Sequence, residues 1–202
     1  MTAVAKPPRR QQILESLARE LELNPGTPIT TAGLAKAVGI SEAALYRHFP
    51  SKAKMFESLI EFSEDTIFSL CNRIHTEESS AIGRCDKLIR LLLGFSDKNP
   101  GITRILTGDA LVGENERLRT RVGQFYERIE TQLKQFLREG IMHEQLTPDA
   151  PINSMVGLML ATTEGKMNQF VRTSFTRRPT ENWDQQWLML AESVFGQSEV
   201  FA

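Results

Sequence analysis

Thr30–Phe56 reads TTAGLAKAVGISEAALYRHFPSKAKMF, and the spacing of its apolar and small residues decides the fold. Thr30 or Thr31 can cap a first helix, because a hydroxyl there accepts from the unpaired amides of the opening turn. Leu34, Ala35 and Val38 recur at the three-to-four interval that places apolar groups on one helical face. Gly39 ends the run where a left-handed residue is wanted, and glycine adopts that conformation without a Cβ clash. Ser41 can cap a second helix, with Glu42 on the favourable side of its dipole. Ala35 is small enough for the two helices to cross closely. Leu34, Val38, Ile40 and Leu45 then share one small core. The result is a helix-turn-helix, whose second helix lies in a DNA major groove. Glu42, Ala43, Tyr46 and Arg47 are expected to face outward from it. Pro50 ends this helix. Ser51 and Lys52 open the next one with a cation and free amides suited to a phosphate. Periodicity alone describes an ordinary helical hairpin equally well.

The stretch resembles the DNA-binding signature of the TetR family of bacterial transcriptional regulators. The residues carrying the resemblance are Thr31, Leu34, Ala35, Val38, Gly39, Ser41, Leu45, Tyr46, His48, Phe49, Ser51, Lys52 and Phe56. It covers roughly the first quarter to third of the chain. It implies an all-α protein with a three-helix head over 1–56 and a helical dimerisation and partner-binding body over 57–202.

Charge distribution agrees with a head that meets phosphate. The 202 residues carry a net charge of −1. Residues 1–56 hold eight Lys and Arg against four Glu, a balance of +4, and the remainder carries −5. A basic surface is the electrostatic footprint of nucleic-acid binding. Cys71 and Cys85 are too few and too far apart for a disulfide scaffold or a zinc site, and both read as reduced core or groove residues. No apolar run reaches the length of a membrane helix and no signal-peptide core is present, so a cytoplasmic, nucleoid-associated protein is expected.

In chain order, residues 1–8 end in Pro7-Pro8 and are expected to form a flexible basic arm. Arg9 to Leu23 is an amphipathic helix with Ile13, Leu14, Leu17, Ala18 and Leu21 inward. Lys52 begins a long helix reaching about Ile74. Ser79 to about Lys98 is another helix, which Asn99-Pro100-Gly101 breaks. Ile102–Val112 is a short helix, and Glu114–Ile141 a long charged one with an apolar period near 3.5. Ala150–Phe175 and Glu181–Phe195 complete the series. No strand-like alternation appears.

The body carries no HExxH, P-loop, GxSxG or metal-spaced His/Cys cluster, and His48, His75 and His143 are isolated. Neither an enzyme nor a cofactor or metal is expected. In the TetR-like fold the last two helices pair with those of a twin. The resemblance therefore implies a twofold homodimer through Met155, Met159, Phe170, Trp183 and Trp187. Ordinary core packing accounts for the two tryptophans as well. Such a dimer binds palindromic duplex DNA. Thr30, Thr31, Ser41, Tyr46, His48 and Lys52 fall among the expected backbone contacts, which position without reading sequence. Arg47 and Ala43 are candidates for base edges, Arg47 because a guanidinium clasps guanine. Glu42 joins them or serves as a solvated helix-terminal carboxylate.

Two readings of the body stay open. One is a ligand-responsive repressor with an apolar cavity. The other rests on the segment Leu88–Val112, LIRLLLGFSDKNPGITRILTGDALV, with FPSKAKMFESLIEF and VRTSFTRRPT. These resemble the nucleoid occlusion factors of the TetR fold, which implies that the tubulin-like division protein FtsZ is a partner. FtsZ offers an extended acidic and apolar tail. A receiver needs an apolar groove with cations at its edge, and Phe62, Arg73, Leu91, Gly94, Lys98, Asn99 and Arg104 are the candidates.

Overall fold

The computed structural model describes residues 7–144, 146–148 and 150–196. The basic arm expected over residues 1–8 lies, up to Lys6, outside the described residues. Nine α-helices and one 3-10 turn make up the described fold, with no strand among these residues. They are α1 Arg9–Leu23, α2 Thr31–Val38, α3 Glu42–His48, α4 Lys52–Glu77, α5 Ala81–Lys98, α6 Pro100–Leu106, α7 Glu116–His143, α8 Ile152–Arg172 and α9 Trp183–Phe195. The 3-10 turn, Asp109–Leu111, falls between α6 and α7.

The chain forms two compact units. The first comprises Met1–Ser63 and Asn99–Val122, and the second Glu64–Lys98 and Gly123–Ala202. Segment 99–122 thus packs with the N-terminal helices, although it comes later in the chain.

In the first unit Ile13, Leu17 and Leu21 form the inner stripe of α1, against a core of Leu34, Leu45, Phe49, Met55 and Phe56. The helix expected to stop at about Lys98 does stop there, and the break is Asn99 alone, because Pro100 belongs to the next helix. Pro100 occupies the first turn of α6, where its missing N–H costs nothing. Gly101 follows because α6 rests on the backbone of α1, and a Cβ there would sit 1.9 Å from the Ala18 carbonyl oxygen.

Arg104 is only 3% exposed. Its guanidinium donates to the Leu21 and Asn24 carbonyls at 2.7 and 3.0 Å and pairs with Asp109 at 2.5 Å. Carbonyls at a helix C-terminus lack intrahelical partners, and this buried cation supplies one. The expectation that Arg104 is a rim cation of a surface groove is therefore corrected: its donors are spent inside the unit, closing the end of α1.

The second unit has a core built from α5, α7, α8 and α9, with Leu88, Leu92, Leu133, Phe136 and Val156 fully buried. Polar ties fix the approach to α9. Asp97 accepts from Arg178 at 2.5 Å and from Thr180 at 2.9 Å. Those bonds, the Arg178 one foremost, hold its carboxyl below the usual aspartate range. Asp86 accepts from the Trp183 indole at 3.1 Å.

The five side chains expected at a dimer contact are a second correction. Met155, Met159, Phe170 and Trp183 are buried within their own protomer, and Trp187 is 7% exposed. They occupy the inner stripes of α8 and α9, where large side chains fill the core. The outer faces show Leu158, Leu188 and Met189, the last 71% exposed. On α8, Gly157 and Ala161 flank Leu158, so that outer stripe is mostly small.

Candidate nucleic-acid interface

Local chemistry sets α2 and α3. Thr30, not Thr31, is the N-cap of α2, and its hydroxyl accepts from the Gly33 amide at 3.1 Å. Gly39 sits at φ 72°, and the next amide, of Ile40, returns to the Ala35 carbonyl at 2.9 Å. That bond turns the chain sharply into Ser41, which caps α3 by accepting from the Ala44 amide at 3.1 Å. Leu45 and Phe49 are fully buried and anchor the inner side of α3.

The outer side carries the candidate residues. Ala43, Arg47 and His48 are exposed, and Tyr46 is 44% exposed. Thr31 donates to the Glu42 carboxylate at 2.9 Å and lies 3.4 Å from the Tyr46 hydroxyl. These three side chains link the start of α2 to α3. Glu42 is thereby occupied as an acceptor that orients Thr31.

Lys52, the first residue of α4, pairs with Glu114 and lies 5.6 Å from the centre of the Phe56 ring. Ser51 accepts from the Lys54 amide at 3.2 Å. Two residues in this region had no sequence signal. Arg10 stacks its guanidinium 4.4 Å from the Phe49 ring centre and donates to Ser58 at 3.2 Å, bracing α1 against the exit from α3. Glu114 is 62 positions from Lys52 in the chain, so no local period pairs them.

The candidate partner residues fall in both units. Phe62 is half-exposed, Asn99 half-buried and Arg104 buried, all in the first unit. Arg73 is exposed and pairs with Glu77 at 3.2 Å. Leu91 and Gly94 are partly exposed and Lys98 is exposed; the three lie on one face of α5 at i, i+3 and i+7. A Cβ at Gly94 would meet nothing within 4 Å, so the space above it is open.

A helix-turn-helix head with an all-helical remainder defines a bacterial regulator of the TetR class. Residues 13–59 match the family described as bacterial regulatory proteins, tetR family, and residues 79–194 match the tetracyclin repressor-like C-terminal domain. At the level of fold alone, the chain is similar to the MbdR regulator from Azoarcus sp. CIB. The TM-score is 0.77 at 16% identity, covering 91% of this chain and 97% of that one.

Within that class the sequence goes further. The nucleoid occlusion factor SlmA of Alteromonas mediterranea is 55% identical over 93% of this chain and 96% of its own length. That of Marinomonas sp. is 53% identical over 92% and 94%. The chain belongs to the SlmA family of nucleoid occlusion factors. No helix among the described residues is long and apolar enough to cross a membrane.

Proposed function

We propose that the protein binds dispersed chromosomal sites as a symmetric dimer and, held on the nucleoid, engages the tail of FtsZ and disrupts its polymers over unsegregated DNA. The observation that carries the DNA half is the outer face of α3. Tyr46, Arg47 and His48 project from a helix whose start, end and inner side are all fixed. Arg47 reads base edges, and Tyr46, His48 and Lys52 grip phosphates. Arg47→Ala should cost about 1–3 kcal/mol on the preferred site and little on random duplex, measured by fluorescence anisotropy. An equal loss on both duplexes, with a shallower salt slope, would make Arg47 a phosphate contact.

The proposed dimer face is the outer side of α8 and α9, centred on Leu158, Leu188 and Met189. Twofold pairing there sets two recognition helices on successive major-groove faces of a palindrome, about 34–36 Å apart or a multiple of it. Placing glutamate at both 188 and 189 buries charge in an apolar contact. The doubly substituted protein should sediment as a monomer. A dimer that survives both charges would refute this face.

For the FtsZ half the supporting feature is the α5 face of Leu91, Gly94 and Lys98. Leu91 offers apolar contact, Gly94 leaves room for an extended backbone, and Lys98 supplies the cation. The decisive experiment is co-sedimentation of FtsZ polymers with the protein on its DNA site. FtsZ should be captured and its polymers shortened. Lys98→Ala should reduce capture while DNA affinity holds. Capture that survives Lys98→Ala moves the partner site off this face.

A further inference from the structure

Lys52, at the start of α4, has its ammonium held by Glu114, which lies just before α7. Both partners belong to the first unit, and both are largely shielded, with side-chain exposures of 24% and 18%. Shielding keeps such a pair from being screened away as surface pairs are. The neighbouring cation is also paired, though its side chain is more exposed. Lys54 pairs with Glu57 at 2.5 Å, and Glu57 also meets Arg117 at 3.2 Å. The Lys54 bond foremost holds the Glu57 carboxyl below the usual range. The first turn of α4 therefore presents cations already matched by carboxylates.

We propose that Glu114 is an internal competitor for phosphate: its carboxylate occupies the Lys52 ammonium in the free protein and must be exchanged for a DNA phosphate when the head docks. This rests on the DNA-binding reading above and adds a residue to it. The chemistry of the two acceptors is alike, since both offer anionic oxygens to one ammonium. The exchange has two thermodynamic consequences. Part of the Lys52–phosphate attraction is spent on breaking the Lys52–Glu114 pair, so affinity is set lower than the head's cations alone would give. The salt response is also blunted. Each neutralised phosphate releases about 0.9 of a counterion. A Glu114 carboxylate set free beside the DNA takes a cation back, which cancels much of that release.

Glu114 thus tunes how tightly the head holds any duplex, and does so without reading sequence. The contact also places the segment before α7 in direct register with the DNA-facing end of α4.

The test is E114Q, which keeps shape and removes charge, titrated by anisotropy from about 50 to 200 mM salt, where phosphate contacts change affinity most. The probes are a duplex selected for binding and a random duplex. On both, E114Q should bind several-fold tighter at the low-salt end, with the slope of log affinity against log salt steeper by up to about one unit. In a K52Q background the gain should vanish, because the competitor acts only through Lys52. E116Q removes the carboxylate of an exposed neighbour and should give no comparable gain. Unchanged or weaker binding by E114Q overturns the proposal, as does a gain that persists in K52Q or is matched by E116Q. If E114Q melts early, E114A is read against the same criteria, and a loss of affinity at unchanged slope again overturns it. A native protein that binds neither duplex at low salt would defeat the DNA-binding reading itself, a separate result from any of these.

Discussion

Arg104→Met should unfold the first unit well before the second. The substitution keeps a long apolar stem in place but removes the guanidinium that serves the Leu21 and Asn24 carbonyls. Buried acceptors left unpaired cost about 1–3 kcal/mol each, and deleting one partner of a buried ion pair about 3–5 kcal/mol. Asp109 is 41% exposed and rehydrates, and the Asn24 carbonyl keeps the Thr27 amide at 3.2 Å, so the buried Leu21 carbonyl sets the loss, at about 1–3 kcal/mol. That is a large share of a typical domain's stability of about 5–15 kcal/mol.

Urea unfolding followed by two probes distinguishes the units. Trp183 and Trp187 are the chain's two tryptophans, and both lie in the second unit. Circular dichroism reports helices in both. In the variant the dichroism should begin to fall at lower urea than the tryptophan emission changes, and site-specific DNA binding should be lost with that first phase. Arg104→Lys should recover little, because an ammonium cannot reach three acceptors with the geometry of a planar fork. Coincident transitions at the native midpoint would show that Arg104 closes nothing of consequence. The distinction matters for function. A variant at 104 that fails to bind FtsZ reports a melted head, whereas one at Lys98 tests the exposed face of α5.

Arg104 also marks where the sequence stopped being legible. The helix-turn-helix could be read because its determinants are local: Thr30, Gly39 and Ser41 act within four residues of themselves, and α1 runs from Arg9 to Leu23 as its apolar period dictates. Arg104 is held by carbonyls 83 and 80 positions away, and no local pattern separates a buried arginine from one at a groove's rim. The same limit hid the pairing of Lys52 with Glu114. On α8 and α9 the helices were plain but their phase was not. Met, Phe and Trp suit an interface or a core equally by type, and the packing of the second unit turned them inward. Asn99-Pro100-Gly101 reads as a stop because proline and glycine are usual breakers, and α5 does end at Lys98; what the sequence hides is that the next helix begins at Pro100. Here proline starts a helix, and glycine permits its approach to a neighbour, which only the fold reveals.

That approach yields the sharpest mutational contrast in the chain. Gly101→Ala should destabilise the first unit by about 3 kcal/mol or more, at the upper end of overpacking costs, and Gly101→Val by more still. The missing Cβ would lie 1.9 Å from the Ala18 oxygen and 2.9 Å from its carbonyl carbon, both main-chain atoms. The α-hydrogen in that place points at the oxygen, a weak C–H···O contact that a methyl group replaces with a collision. α6 must then lift from α1, and lifting it withdraws Arg104 from the Leu21 and Asn24 carbonyls. Because the obstacle is backbone, no side-chain change on α1 relieves it, and Ala18→Gly should rescue nothing.

Gly140, in the second unit, provides the control. A Cβ there meets the Ala81 methyl at 2.5 Å, a side-chain atom. Gly140→Ala should therefore be destabilising alone and largely restored by Ala81→Gly, apart from the small helix-propensity cost of the new glycine. Thermal melts of the two single and two double variants decide the matter. Rescue at 140 without rescue at 101 identifies the α1–α6 approach as backbone on backbone. Rescue of Gly101→Ala by Ala18→Gly would mean that the two helices are held apart by side chains after all.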